Sequence, residues 1–245
     1  VAFTRIEQPM PVSVPHLGLR NLYDAAPAGV IGAFASGLVT SALWGLAPVF
    51  VQRIGLGTGA VAGLMSATVI GGALLQWPIG RWSDRRDRRY VLVAICVAGG
   101  ALAGVALGAT YWSVPALMTS MFVYGGLSFS IYPLSVAFVN DRLAREHALA
   151  SASGLLLVYG IGAAMGPVLA GSAMELFGPR ALFAYFALVL IPVAGFTYYR
   201  IRKSPEPADA ARDPFVPMMR TSAVALDMMS GAEEATDPSS PEGSR

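Results

Sequence analysis

The residues best placed to do chemistry lie in one short charged segment of an otherwise apolar chain, Gly80-Arg-Trp-Ser-Asp84-Arg85-Arg86-Asp87-Arg88-Arg89. The Asp84 carboxylate could accept hydrogen bonds from the N–H groups at a helix N-terminus, where the helix dipole favours an anion. The neighbouring arginines could hold that carboxylate in place and contact anionic lipid headgroups. The alternative is that these arginines only set the orientation of the chain in a membrane.

Two further sets of polar and aromatic side chains recur at helical spacing, so that each set falls on one helix face. The first set is Ser36, Thr40 and Trp44, and the second is Tyr124, Ser128, Tyr132 and Ser135. Two such stripes within apolar segments predict either the lining of a water-filled cavity or a helix–helix interface. The hydroxyl groups could instead bond to carbonyls of their own helices.

The sequence gives no support to enzymatic, metal or nucleotide chemistry. Its two histidines, His16 and His147, fall outside the apolar segments, so neither could act as the base for a serine within a membrane. No P-loop pattern occurs, and a single cysteine, Cys96, excludes a disulfide framework or a cysteine-based metal site. The basic residues flank apolar segments, which argues against nucleic-acid binding. We therefore expect neither an enzyme nor a bound cofactor or metal.

Composition points to an integral membrane protein. The chain has 245 residues, of which 55% are hydrophobic and 13% are charged. Charged residues make up about 25% of ordinary soluble domains. A soluble fold of this size could not cover so much apolar surface with so few charges.

Six uncharged apolar segments approach the roughly 20 residues that an α-helix needs to cross a bilayer. They cover approximately residues 28–50, 59–80, 90–110, 114–138, 149–172 and 181–199. We expect a cytoplasmic linker at 1–27, a transmembrane bundle at 28–200 and a disordered cytoplasmic tail at 201–245. Of the 17 Lys and Arg residues, all except Arg53 and Arg180 fall on one side of these spans. This asymmetry places both termini in the cytoplasm.

Spans 2 and 5 share a pattern of small residues although they would cross the membrane in opposite directions. The aligned positions are Gly63, Leu64, Gly71, Ala73 and Gly80 with Gly154, Leu155, Gly162, Ala164 and Gly171, followed by Asp84 with Glu175 and Arg89 with Arg180. Such a match between segments of opposite direction is typical of a 3+3 inverted repeat in a secondary transporter.

The charged segment resembles the signature loop of the major facilitator superfamily, G-x-x-x-D-R/K-x-G-R/K-R/K, often called motif A. The matching residues are Gly80, Asp84, Arg85, Arg88 and Arg89, whereas Asp87 stands where the family has glycine. Span 5 is similar to the G-x-x-x-G-P-x-x-G-G pattern of the family's antiporters, with Ala170 in place of one glycine. The residues of this second match are Gly162, Gly166, Pro167 and Gly171. The glycines would allow close helix packing, and a role in preventing leak is the alternative.

The resemblance covers about residues 20–200 and implies an all-α membrane protein. Its six transmembrane helices would form 3+3 inverted repeats and one half of a major-facilitator fold, the C-terminal half of a twelve-span protein. Spans 1 and 4 would lie beside the central cavity, and spans 3 and 6 at the periphery. The motif-A loop would act as a latch that crosses to the other half and is broken in each transport cycle.

We therefore expect a secondary active transporter that moves a small organic solute by alternating access, most simply by proton-coupled efflux across a cell membrane such as the bacterial inner membrane. The expected partners are the solute, membrane lipid, and the N-terminal six-helix half or a second copy. The spans contain no titratable carboxylate, so a proton-carrying group would belong to the other half. The alternative is a non-transporting fragment, or a six-span subunit that is active only with a partner half.

Overall fold

Seven helices are present in a computed structural model that describes residues 18–143 and 147–203. They are α1 (Leu19–Ala25), α2 (Pro27–Arg53), α3 (Thr58–Asp84), α4 (Arg88–Ala109), α5 (Val114–Asn140), α6 (Ala148–Phe177) and α7 (Ala181–Lys203). Six of these, α2 to α7, are long and apolar enough to cross a membrane. Each predicted span lies within one of the six helices, apart from residue 110 just after α4, and the helices extend up to five residues beyond the predicted ends.

Local sequence explains where several of these helices begin and end. Gly55, with φ +83°, and Gly178, with φ +88°, adopt the left-handed conformation after α2 and α6, which glycine does without strain. The Ser113 hydroxyl accepts a hydrogen bond from the Ala116 N–H at the start of α5. The turns are consequently short, and consecutive spanning helices run in opposite directions.

The predicted linker is not wholly irregular, because residues 19–25 form helix α1. Leu22 on this helix is fully buried and packs with Val139 of α5 and Leu155 of α6. The predicted linker therefore contains a short helix, which the burial of Leu22 anchors to the end of the bundle. The cytoplasmic location of residues 1–27 stays a prediction. Residues 1–17, and the tail from residue 204, lie outside the described residues.

The packing repeats itself between the two halves of the bundle. Helix α2 packs along α6, α3 packs along α5, and α4 packs along α7. The sequence match relates α3 to α6, and the same inverted repeat relates α2 to α5 and α4 to α7. The three pairings therefore map onto one another, as a 3+3 inverted repeat requires.

Helices α2 and α5 form the centre of the bundle, and α3 and α6 leave one face open. In the most apolar stretch of each helix, 61% of α2 and 67% of α5 is buried, against 22% of α3 and 17% of α6. Helices α4 and α7 pack together on the opposite side. We call the side along α3 and α6 the open face, and the end of the bundle where α3 turns into α4 the charged end.

Candidate functional site

The charged end contains a buried cluster of ion pairs that joins three helices. Arg88, the first residue of α4, has a side chain only 1% exposed. Its Nε lies 3.0 Å from Oδ2 of Asp141, which follows α5, and its guanidinium also lies 3.5 Å from Asp84 at the end of α3. Because burying ions without partners is costly, this arrangement fixes the ends of α3, α4 and α5 to each other.

Asp87 explains how the turn forms without the glycine that the resembled motif has at this position. Its backbone lies in the extended region, with φ −60°, so the position does not need the left-handed conformation. Its carboxylate accepts hydrogen bonds from the backbone N–H and the guanidinium of Arg89. Asp87 therefore caps the N-terminus of α4, and the expectation that Asp84 accepts hydrogen bonds from a helix N-terminus stays a prediction.

The other motif residues occupy different environments. Gly80 is buried within α3, whereas Arg85 follows α3 and is exposed. Asp84 keeps 34% of its side chain exposed, while Asp141 keeps only 7%. The structure thus brings Asp84, Arg88 and Asp141 together and leaves Arg85 outside the cluster.

The glycines of span 5 differ in what they contact. Gly162 and Gly166 lie against the backbone of α2, where a Cβ would overlap the carbonyl oxygens of Phe34 and Leu38 respectively. Pro167 faces Gly45 of α2, and Gly171 has room for a Cβ at ordinary contact distance from Leu46. Close helix packing therefore requires the first two glycines and not Gly171.

The two predicted polar stripes do not line one cavity. Five of their seven residues are buried in this half alone: Ser36, Thr40, Tyr124, Ser128 and Ser135. A second half could only cover more of their surface. The reason is that α2 and α5 are the central helices, so neighbours cover most of their faces. The prediction of cavity lining is revised for these five residues and stays a prediction for Trp44 and Tyr132.

The buried hydroxyl groups instead serve the packing of the bundle. The Ser135 hydroxyl donates to the Ile131 carbonyl of its own helix and contacts Gly32 of α2. The Tyr124 ring stacks on Phe186 of α7, with 5.1 Å between ring centroids. The helix-interface alternative for the stripes is the one that these contacts favour.

Four partly exposed aromatic side chains follow the middle of the open face. We call Trp44, Phe129, Tyr132 and Tyr159 the aromatic row. The Trp44 and Phe129 rings are parallel to within 3°, with centroids 6.2 Å apart, and the Tyr132 and Tyr159 rings meet edge to face at 5.0 Å. Trp44 of α2 and Tyr132 of α5 occupy equivalent positions of the inverted repeat. The row therefore contains Trp44 from the first repeat and Phe129, Tyr132 and Tyr159 from the second.

A mid-span amide holds one member of this row. Pro133 has no N–H, so the Phe129 carbonyl four residues earlier lacks its usual helical donor. The Gln76 side chain of α3 donates to that carbonyl at 3.3 Å. Sequence reasoning missed Gln76, although it is the one amide side chain within the predicted spans. The signal for its partner was Pro133, which stands four residues after Phe129 and leaves the Phe129 carbonyl without a helical donor.

The opposite end of the bundle carries the counterparts of the charged end. Glu175, which aligns with Asp84, forms an ion pair with Arg53 of α2. Arg180, which aligns with Arg89, donates a hydrogen bond to the Thr110 hydroxyl at 2.9 Å and lies over the Tyr111 ring. The Arg53–Glu175 pair is largely exposed, so the buried network of the charged end has no equivalent here among the described residues.

Comparison with known proteins identifies the family. Residues 29–232 match the sequence model of the Major Facilitator Superfamily. The chain is 30% identical over 180 residues to an uncharacterized MFS-type transporter of Yersinia enterocolitica, covering 73% of this chain and 46% of the relative. It is 32% identical over 185 residues to one from Yersinia pestis, covering 75% of this chain and 46% of the relative. It is also 32% identical over 165 residues to the uncharacterized MFS-type transporter YcaD of Escherichia coli, covering 67% of this chain and 42% of the relative.

The chain spans about half the length of these curated relatives. The match extends over all six spanning helices, the charged segment and the glycines of α6. The bundle is therefore a six-helix half of this fold. The chain belongs to the Major Facilitator Superfamily and is a multi-pass membrane protein.

Proposed function

We propose that this chain is one six-helix half of a secondary active transporter that moves a small organic solute by alternating access. In this proposal the open face meets a second six-helix half, supplied by an N-terminal segment or by a second copy. The solute passes between the two halves. The observation that carries the proposal is the open face itself, which has two little-buried helices on its flanks and an aromatic row at its middle.

The charged end would act as the latch of the transport cycle. Arg88 and Asp141 are buried within this half, so they form its fixed part. Asp84 shares Arg88 and keeps a third of its carboxylate side chain exposed, which leaves it accessible to a helix end of the other half. Breaking that contact in each cycle would let one access state replace the other.

Proton coupling would depend on the other half. Within the described spans, α2 to α7 carry no Asp, Glu, Lys, Arg or His between their charged ends. A buried carboxylate is the usual proton carrier in such proteins, because burial makes its charge costly and its protonation tunable. We place that carboxylate in the partner half, and we propose that the direction of transport is efflux.

The charged end would face the cytoplasm of a cell membrane, as in the bacterial inner membrane, so that both termini lie there. Arg202 and Lys203 at the end of α7 lie over the rings of Tyr198 and Tyr199. Cations beside aromatic rings suit the headgroup region, where the cytoplasmic leaflet is anionic. Lipid headgroups are therefore the second proposed partner of this end.

Transport in sealed vesicles tests the proposal. Native membrane vesicles with and without the carrier are incubated with an extract of source-cell solutes, energised with a proton gradient, and analysed by mass spectrometry. We expect at least one small organic solute to move only when the carrier and the gradient are both present. If no solute moves, the alternative of a non-transporting fragment or subunit replaces this proposal.

The latch is tested by Asp84→Asn, with Arg86→Gln as the matched control in the same exposed turn. We expect Asp84→Asn to reduce flux at least about tenfold, which corresponds to about 1.4 kcal/mol, without changing the amount of inserted protein. Arg86→Gln should retain flux. Equal flux in the two variants would remove the latch from the mechanism and leave the transport proposal intact.

A further inference from the structure

We propose that the transported solute stacks on Trp44, and that it is a planar aromatic or heteroaromatic molecule without net negative charge. This inference rests on the proposed transport function and narrows it to a class of substrate. It depends on the exposure of Trp44, on its polar atoms, on the geometry of its neighbour Phe129, and on the charge of the surrounding spans.

Trp44 is exposed where its helix is otherwise enclosed. Between Ala26 and Val51, only Trp44 and Gly45 are exposed, and the Trp44 residue is 43% exposed. The residue lies roughly 13 Å from the end of α2 at 1.5 Å per residue. Tryptophan in membrane proteins usually lies at the interfaces, where its ring meets the headgroups. A large aromatic side chain exposed this deep in a span indicates contact with something other than lipid tails.

The indole N–H of Trp44 lacks a partner among the described residues, and the Trp44 carbonyl lacks its usual helical donor. Within the described part of the chain, no hydrogen bond involves the indole N–H of Trp44. Pro48 stands four residues later and has no N–H, so the Trp44 carbonyl loses its usual helical donor. A donor and an acceptor left unmatched in hydrocarbon would cost several kcal/mol, on the order of 2–7 for each group. Water or a solute with polar atoms on its ring edge would satisfy both.

The neighbouring ring is held parallel to Trp44 by contacts from α3. A Cβ on Gly72 would overlap the Phe129 ring, so only glycine lets that ring lie here, and Gln76 donates to the Phe129 carbonyl. Phe129 covers part of the indole at a centroid distance of 6.2 Å. The remaining indole surface is already aligned for a further flat ring, because aromatic pairs prefer offset-stacked arrangements.

The charge of this half favours neutral or cationic solutes over anions. The described spans contain no cationic side chain near Trp44, and the faces of aromatic rings carry partial negative charge. Such faces attract cations and neutral rings and repel anions. The half described here therefore recognises its solute by stacking and neutral hydrogen bonds.

The vesicle measurement described above separates failure of this inference from failure of the transport function. If no solute moves, the transport function itself fails. If every solute that moves lacks an aromatic ring or carries net negative charge, this inference is overturned while transport stands. We expect each solute that moves to contain a planar aromatic ring and to be neutral or cationic.

The role of Trp44 is then tested with that solute in proteoliposomes. Trp44→Leu should raise the half-saturation concentration roughly fivefold, the size of effect expected from one aromatic pair. Trp44→Phe should recover most of the affinity, and Trp112→Leu, at an exposed turn, should change nothing. An unchanged half-saturation concentration in Trp44→Leu would overturn the assignment.

A spectroscopic measurement keeps the inference testable if Trp44→Leu fails to insert. The variant Trp77→Phe, Trp82→Phe, Trp112→Phe leaves Trp44 as the single tryptophan of this chain, and tryptophans of the partner half are replaced by Phe as well. Saturable change in its fluorescence on adding the transported solute is the expected result. No change at solute concentrations that saturate transport would contradict the stacking contact.

Discussion

Gly71 of α3 lies against the backbone of α5, so close that a Cβ on Gly71 would overlap the carbonyl oxygen of Phe122. The same contact recurs between Gly162 of α6 and Phe34 of α2. A reciprocal pair of contacts places Gly125 on the Thr68 carbonyl and Gly37 on the Tyr159 carbonyl. The inverted repeat is therefore preserved at the level of individual backbone contacts, and these four glycines set the spacing of the helices around the open face.

Replacement of one of these glycines should separate the helices. We expect Gly71→Ala and Gly162→Ala each to lower the free energy of unfolding by about 1–3 kcal/mol, because the backbones must move apart to admit a methyl group. Gly104→Ala on α4 is the matched control, since nothing lies within 4 Å of a Cβ at that position. Thermal unfolding in detergent micelles measures all three. Equal stability of Gly71→Ala and Gly104→Ala would contradict the close approach.

The buried cluster of the charged end should be sensitive to loss of its cation. Arg88→Met removes the partner that Asp141 contacts at 3.0 Å and should destabilise the bundle by about 3–5 kcal/mol. The double variant Arg88→Met, Asp141→Leu should be less destabilised than the sum of the single variants, because it leaves neither charge buried. Strict additivity in chemical denaturation would show that the two residues do not interact. Arg85→Met serves as the exposed control.

The ion pair at the opposite end should matter much less. The side chains of Arg53 and Glu175 are 42% and 67% exposed, so water and salt screen their attraction. We expect Glu175→Gln to change the free energy of unfolding by less than about 1 kcal/mol. The comparison is made with Asp141→Asn under the same conditions. A loss from Glu175→Gln as large as that from Asp141→Asn would show that exposure does not set the strength of these pairs.

Gln76 should stabilise the bundle only because Pro133 frees a carbonyl. Gln76→Leu leaves the Phe129 carbonyl without its donor and should cost about 1–3 kcal/mol. In a Pro133→Ala background, residue 133 regains an N–H that can bond to the same carbonyl, so Gln76→Leu should have a smaller effect. Unfolding of the four proteins forms a double-mutant cycle. Equal effects of Gln76→Leu in both backgrounds would contradict the assignment.

The sequence predicts the helices well because their signal is long and local. Each span combines a run of about 20 apolar residues with charges at its ends, which leaves little freedom in where the helix lies. The inverted repeat is also visible in the aligned glycines of α3 and α6. Helix α1 escaped prediction because its stability comes from one tertiary contact, the burial of Leu22 against α5 and α6.

The site is less predictable because helical spacing identifies a shared face and not what covers it. Tyr124 and Trp44 belong to similar stripes, yet Tyr124 is buried against α7 while Trp44 reaches the open face. Only the packing of neighbouring helices decides between the two. The ion pair of Arg88 with Asp141 likewise joins residues far apart in the chain, so spacing alone could not reveal it.

Accessibility of position 44 from the two sides of the membrane is the sharpest test of alternating access along the open face. Trp44→Cys is made in a Cys96→Ala background and treated with a membrane-impermeant thiol reagent added to one side at a time, with and without a proton gradient. We expect modification of Trp44→Cys from both sides, with the balance shifted by the gradient, whereas Val105→Cys on the far side of the bundle should stay unreactive. Trp44→Cys as unreactive as Val105→Cys, or reactive from one side only whatever the gradient, would contradict alternating access along this face.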